Sequence, residues 1–178
     1  MLIETDRLIL RPPEDRDRDA LAAINGDPRV GDWLAATMTR EENDAMIDRV
    51  NAHIGQHGWG FWAVERKADA TIIGMAGLIA MPAEMPPGPA VEVGWRLSPE
   101  TWGHGYATEA GRAAVAWAFA ELKPPEVIAI TARSNLRSQA VMRRIGMIPE
   151  PWRDFDHPKL AEDHPLRAHV VFAMKRPG

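Results

Sequence analysis

The chain has 178 residues, 46% hydrophobic and 26% charged, enough for one domain with a real core and short for two, so residues 1–178 read as a single domain. The absence of cysteine excludes a disulfide framework, a thiolate metal site, an iron–sulfur cluster and a cysteine nucleophile, and fits a reducing compartment. A net charge of −4 argues against nucleic acid as the main partner. No segment approaches the roughly 20 apolar residues that cross a bilayer, which points to a cytoplasmic protein with no membrane partner.

Along the chain, "TDRLILRPP" alternates leucine with polar residues and stops at a Pro–Pro pair, the pattern of a strand. "EDRDRDALAAIN" has helical rhythm and stops at Asn25-Gly26. "DPRVGDWLAATM" reads as irregular. Thr39 is placed to cap a helix from Arg40 to about His57, with Glu42 as capping-box partner and Met46, Ile47 and Val50 on one face. Strands are predicted at "WGFWAVERK", "TIIGMAGLIA" and "PAVEVGWRL", the last two separated by the proline-rich turn "MPAEMPPGP". "GYATEAGRAAVAWAFAEL" is a helix, "EVIAITA" a short strand, "LRSQAVMRRIG" a helix closed by Gly146, and "LRAHVVFAMKR" a final strand. This order predicts an α+β fold: a mixed, mostly antiparallel sheet of about seven strands, with helices on both faces and one strand–helix–strand unit.

The turn inside that unit, "TWGHGYATEA", places Gly103 and Gly105 directly before a helix. Unpaired N–H groups in a first helical turn, together with the positive end of the helix dipole, attract phosphate, and glycine removes the Cβ that would block its approach. A G-x-G pair also serves a tight turn that needs positive φ, so its neighbours must decide. The G-x-x-x-x-G-K-[ST] loop is absent. A dinucleotide fingerprint fails too, because Thr108 stands where its third glycine belongs and "EVIAITA" runs into Arg133 rather than an acid.

"GWRLSPETWGHGYATEA", followed by "ARSNLRSQAVMRRIGM", resembles the acetyl-CoA loop and following helix of GNAT acetyltransferases, in the branch similar to ribosomal-protein N-acetyltransferases. The resemblance spans nearly the whole chain and departs from the family pattern Q/R-x-x-G-x-G/A at its first position, here Trp102. It implies acetyl-CoA as co-substrate, with the amides of Gly103, His104, Gly105, Tyr106 and Ala107 on the pyrophosphate. Thr108 would add a hydroxyl, and Asn135 and Ser138 would bind the pantetheine arm. Between Glu126 and Glu150 the chain carries Arg133, Arg137, Arg143 and Arg144 and no acid. Such a run is either a solvated helix face or the local positive charge that an acidic protein needs to hold phosphates; Arg143 and Arg144 are assigned to the cofactor.

The implied reaction is attack of an amine on the acetyl thioester. A lysine-like amine with a pKa near ~10.4 is mostly protonated at neutral pH and needs a base. Glu92, opposite in facing to Val91 and Val93 by strand alternation, is the candidate, acting through a water; an exposed strand residue is the alternative. Amides near Val93 and Gly94 could bind the oxyanion. The family's acid, a tyrosine on the helix after the asparagine, falls at Met142, and the one tyrosine, Tyr106, lies in the loop. Ser138, or a water it holds, is the substitute donor. The competing reading is an acetyl-CoA-binding module that has lost catalysis.

His53 and His57, four apart on a helix, lack the carboxylate that completes a metal site, so no metal is expected. His157 with Asp154 and Asp156 would either attract a cationic acceptor or cap a turn. The resemblance places Trp33, Trp59 and Trp62 in the half that forms the acceptor pocket and leaves Trp117 to the core. The acceptor is an amine on a small molecule or a protein N-terminus, and a homodimer is the default assembly.

Overall fold

The structure, a computed structural model, describes residues 2–34 and 36–178; Ala35, within the stretch read as irregular, lies outside the described residues. The elements are β1 (Ile3–Glu4), β2 (Leu8–Arg11), α1 (Arg18–Asn25), α2 (Pro28–Gly31), α3 (Arg40–His57), β3 (Phe61–Arg66), β4 (Thr71–Met81), β5 (Ala90–Leu97), α4 (Tyr106–Trp117), β6 (Glu126–Ala132), α5 (Leu136–Ile145), β7 (Ile148–Pro149), β8 (Phe155–Asp156) and β9 (Ala168–Lys175). No helix among the described residues is long and apolar enough to cross a membrane.

The strands form one sheet in the order β1-β2-β3-β4-β5-β6-β9-β7, with β8 also on β9. Among the described residues it has nine strands rather than about seven, because β1, β7 and β8 have two residues each, too few to show a period. Every pairing is antiparallel except β5 with β6, which run parallel as the strand–α4–strand unit requires. The stretch read as irregular contains the four-residue α2, started by Asp27, whose side chain accepts from the Arg29 N–H, and by Pro28 at its first position.

Local chemistry fixes the longer elements. Thr39 accepts from the Glu42 N–H while the Glu42 carboxylate accepts from the Thr39 N–H, so the predicted capping box opens α3. α4 is continued by a π-turn over Ala118–Leu122 and ends at Lys123, which has φ 52°. The β3–β4 register shifts after Val64, whose partner is Gly74 while that of Glu65 is Ile72. The skipped residue, Ile73, is turned into the core.

Two cores sandwich the sheet. On one face Leu8, Leu10, Trp62, Val64, Leu78, Val93 and Phe172 pack under Ala110 and Ala114 of α4 and Met142 and Ile145 of α5. On the other, Met75 meets Leu21 of α1 and Met46 and Ile47 of α3. A buried ion pair ties β2 to the start of α1: Arg11 Nη1 lies 2.6 Å from Asp17 Oδ2, and Arg11 Nη2 lies 2.8 Å from Glu65 Oε2 of β3. Burial works against the Asp17 charge, but hydrogen bonds from Arg11 and from the Glu14 N–H hold its carboxyl below the usual range.

Candidate active site

The parallel pair β5–β6 is in register at one position, Glu92 with Ile128. Beyond it the two strands line opposite walls of a cleft of about 1500 Å³, Val93 to Leu97 on one side and Ile130 to Ala132 on the other. The edge of β5 that faces β6 is therefore left without a strand partner past Glu92, among the described residues. This opening, at the C-terminal end of the strand that feeds α4, is where a βαβ unit presents ligand-binding groups.

At one end of the cleft lies the glycine turn. Gly103 and Gly105 both have φ of 82°, a left-handed conformation that favours glycine. A Cβ added at Gly103 would meet no atom within 4 Å, so that side of the turn is open. The N–H groups from Gly103 to Thr108 donate to no protein acceptor among the described residues; the Glu109 N–H is the first that does, to the Gly105 carbonyl at 3.0 Å. A run of free donors at the start of a twelve-residue helix is an anion site by both hydrogen bonding and dipole.

Two side chains hold this turn in place. The Trp102 indole donates to the Leu97 carbonyl at 2.8 Å, pinning the turn to the end of β5, and the Arg137 guanidinium of α5 lies 5.0 Å from its ring centroid. The tryptophan that breaks the family pattern is thus a pin between β5 and α5. Arg7, from the turn between β1 and β2, donates to the His104 carbonyl at 3.0 Å, pairs with Glu109 at 2.6 Å and lies 4.5 Å from the Tyr106 ring centroid. Sequence reading missed Arg7 because it acts on residues about a hundred positions away, which no local period reports.

The arginines divide. Arg137 and Arg144 line the cleft, as do His104 and Thr108, and Arg112 of α4 joins them, donating to the Arg144 carbonyl at 2.9 Å. Arg143 does not line it: its guanidinium lies 5.0 Å from the Phe172 ring centroid on β9, because its position on α5 turns it toward that strand. Arg133 pairs with Asp154 at 3.3 Å, outside the cleft. Of the two arginines assigned to the cofactor, the structure brings only Arg144 to the site.

Asn135 and Ser138 sit at the start of α5, on the wall across from β5. Asn135 caps the helix, its Oδ1 accepting from the Ser138 N–H at 3.1 Å, which leaves its amide nitrogen free of protein acceptors among the described residues. Ser138 lines the cleft beside it. Met142, one turn further along α5, is 1% exposed and belongs to the core; no hydroxyl replaces the family tyrosine there.

Glu92 stands where the strands part. Strand alternation separates it from Val93, which packs beneath α4, and turns it to the opposite face together with Gly94 and Arg96. It is partly accessible from the cleft, yet the surrounding protein strips its carboxyl of water and pushes its pKa from the ordinary 4.5 up to about 7. No protein cation pairs with it among the described residues. A carboxylate poised near neutrality in a cleft is suited to accept a proton at physiological pH.

The remaining candidates fall elsewhere. Trp33 lines the cleft with Val30, Leu34 and Phe61, but Trp62 is 0% exposed, packed edge-on to Trp117 in the α4 core. Trp59 stacks edge-on with His53 at 4.9 Å, closing a cluster with His57. No group of three metal-ligating side chains occurs among the described residues. Asp154 is engaged by the Val171 N–H and Arg133, and Asp156 lies 3.4 Å from Arg167, so these acids tie the β8–β9 hairpin. His169, across from Ala132 on β9, does line the cleft, and burial lowers its pKa.

A mixed sheet that opens beside a free-amide turn and a carboxyl near neutrality has the layout of an acetyltransferase. The acetyltransferase (GNAT) domain family matches residues 7–148, and the chain belongs to that family. It is 32% identical over 152 residues to the FsC-acetyl coenzyme A-N(2)-transacetylase of Aspergillus fumigatus, covering 82% of this chain and 64% of that protein. It is 28% identical over 144 residues to the putative ribosomal N-acetyltransferase YdaF of Bacillus subtilis, covering 79% of this chain and 76% of that one. A GNAT-family acetyltransferase from Bacillus anthracis superposes with a TM-score of 0.82 over 99% of both chains at 22% identity, a likeness of fold.

Proposed function

We propose that the protein is an N-acetyltransferase that moves the acetyl group of acetyl-CoA to a primary amine by direct attack in a ternary complex. The observation that carries this reading is the pairing, in one cleft, of the free amides from Gly103 to Thr108 with the Glu92 carboxyl poised at about 7. The amides, with Arg112, Arg137 and Arg144 near them, hold the diphosphate. The Asn135 amide and Ser138 bind the pantetheine arm along the wall of α5, so that the thioester lies against the open edge of β5.

Glu92 then takes the proton of the acceptor's ammonium group, directly or through one water, freeing the nitrogen lone pair. As nitrogen bonds to the thioester carbon, unpaired β5 amides near Val93 and Gly94 stabilise the oxyanion. The carbon–sulfur bond breaks, the electron pair leaves on sulfur, and the second proton that the new amide nitrogen sheds passes to water in the cleft. A thiol with a pKa near ~8.5 is a fair leaving group as the thiolate, which makes a strong acid at position 142 dispensable; Ser138, or a water on it, supplies the proton.

The test is to incubate the protein with acetyl-CoA and a panel of primary amines while following free thiol, with acetylated product identified by mass. Thiol release that depends on an amine supports the transferase. Tight coenzyme A binding with no release across the panel would favour a binding module instead.

A further inference from the structure

Arg96 lies on β5, on the same face as Glu92, and lines the same cleft. It is unlike the other interior arginine of this fold. Arg11 is matched by Asp17 and Glu65 at hydrogen-bond distance, whereas Arg96 has no carboxylate within salt-bridge distance among the described residues. Among the described residues its one oxygen partner is the Asn25 side chain, 3.0 Å from Nη1; its other polar neighbours are the thioether sulfurs of Met38 and Met46, at 3.7 and 3.8 Å. Among the described residues, Nε is buried with no hydrogen-bond partner and Nη2 donates to none. Burial pulls its pKa down to about 10, so it still carries its charge at neutral pH.

A desolvated cation without a counter-charge is costly to keep. Asn25 donates to Asn43 at 2.8 Å through its nitrogen and accepts from Arg96 at its oxygen, a neutral partner that leaves the guanidinium charge uncompensated. The lining on this side of the cleft is otherwise apolar, Val30, Trp33, Leu34, Phe61 and Ile79, apart from Glu92 and the neutral-leaning His169. The acidic residues Asp6 and Glu109 line the cleft too, but Glu109 is committed to Arg7 and Asp6 belongs to the same β1–β2 turn, at the phosphate end.

We propose that Arg96 is the specificity residue for the acceptor, and that the acceptor is an amine bearing a carboxylate several bonds away from the nitrogen that is acetylated. This rests on the transferase reading of the same cleft. Four residues of strand separate the Cα atoms of Glu92 and Arg96, roughly 13 Å at about 3.3 Å per residue, so the α-carboxylate of a free amino acid sits too near its own amine to reach both. An amine on a longer chain, or an N-terminus followed by an acidic side chain, spans the distance. The carboxylate supplies the missing counter-charge in a site where little water competes. The same cation repels polyamines, whose second charge would fall beside it.

The experiment compares ω-amino carboxylates of increasing length with their primary amides, which differ only in that charge. In the wild-type protein kcat/KM for the best carboxylate should exceed that for its amide by about 10- to 100-fold, the range of a hydrogen bond to a charged group. Arg96→Gln should compress that ratio to within about threefold, and Arg96→Lys should retain part of it. Equal rates for carboxylate and amide in the wild type would overturn the proposal even if no variant folds, as would an unchanged ratio in a folded Arg96→Gln. If no amine is turned over, the transferase reading fails separately. Quenching of tryptophan fluorescence by the same pairs, on protein saturated with coenzyme A, then decides: carboxylate binding lost in Arg96→Gln supports the anion site, and no difference between the pair refutes it.

Discussion

Glu92→Gln removes a charge that the fold disfavours and the chemistry requires, so stability and activity should move in opposite directions. Glu92 holds its proton up to about pH 7 in the folded protein against an ordinary 4.5 when unfolded. Between those values the folded state binds more protons than the unfolded one, so stability falls as pH rises through this window. The full difference of 2.5 pKa units, 7 less 4.5, corresponds to about 3.4 kcal/mol. The carboxyl borders an open cleft, and screening by cleft water reduces this to about 2 kcal/mol. Urea denaturation at pH 4.5 and pH 8 should therefore find Glu92→Gln close to wild type at the lower pH and about 2 kcal/mol more stable at the higher. The acetylation rate of the wild type should rise with pH through an apparent pKa near 7 in kcat/KM. The variant should lose that limb and about 10²- to 10⁴-fold in rate, with coenzyme A affinity retained. A stability difference that does not change with pH, or a pH–rate profile identical in both proteins, would refute the assignment.

Gly105→Val places a β-branched side chain beside the free amides of the turn where φ is 82°, a backbone conformation that side chains rarely adopt. Coenzyme A binding, measured by calorimetry, should be lost, and unchanged affinity would contradict the phosphate-turn assignment. Asp17→Ala leaves the buried Arg11 with Glu65 and the exposed Glu14, 3.6 Å from Nη1, and should destabilise the protein by about 3–5 kcal/mol at neutral pH. Because the Asp17 carboxyl is held below its unfolded pKa, this stabilisation is present above that value and fades as pH falls through the folded one. A loss in melting temperature that is the same at pH 7 and at strongly acid pH would show that the ion pair is not its source.

Most of the fold could be read from the chain because its longer elements carry their own signals. Thr39 and Glu42 announce α3, Gly146 ends α5 with φ 97°, and the apolar run 126–132 is β6 to the residue. β1, β7 and β8 were invisible because two residues define no period, and their pairing is set by β2 and β9. The site divides along the same line. Gly103 to Thr108, Asn135 and Glu92 lie in motifs or in strand alternation, both local properties. Arg7 and Arg112 reach the cleft through tertiary contacts that sequence spacing does not encode, and the arginine run on α5 could not say which members face inward. Trp62 lies in the half that the resemblance gives to the acceptor pocket, but its side chain is buried against Trp117 in the α4 core, a choice of sheet face that strand position alone does not report. Arg96 was legible in principle, since it shares strand parity with Glu92, but only the missing counter-charge gives that parity meaning.

The single β5–β6 register pair, Glu92 with Ile128, has one more effect. A sheet normally hides its peptide groups by giving each strand two neighbours, and an unpaired margin invites a foreign strand to add on. Here the bare margin is turned inward, flanked by the starts of α4 and α5, so another protein's strand meets it only by entering the crevice. The chain thereby keeps a line of unsatisfied amides available to a slender guest without spending lysines or prolines to guard against self-association at that seam.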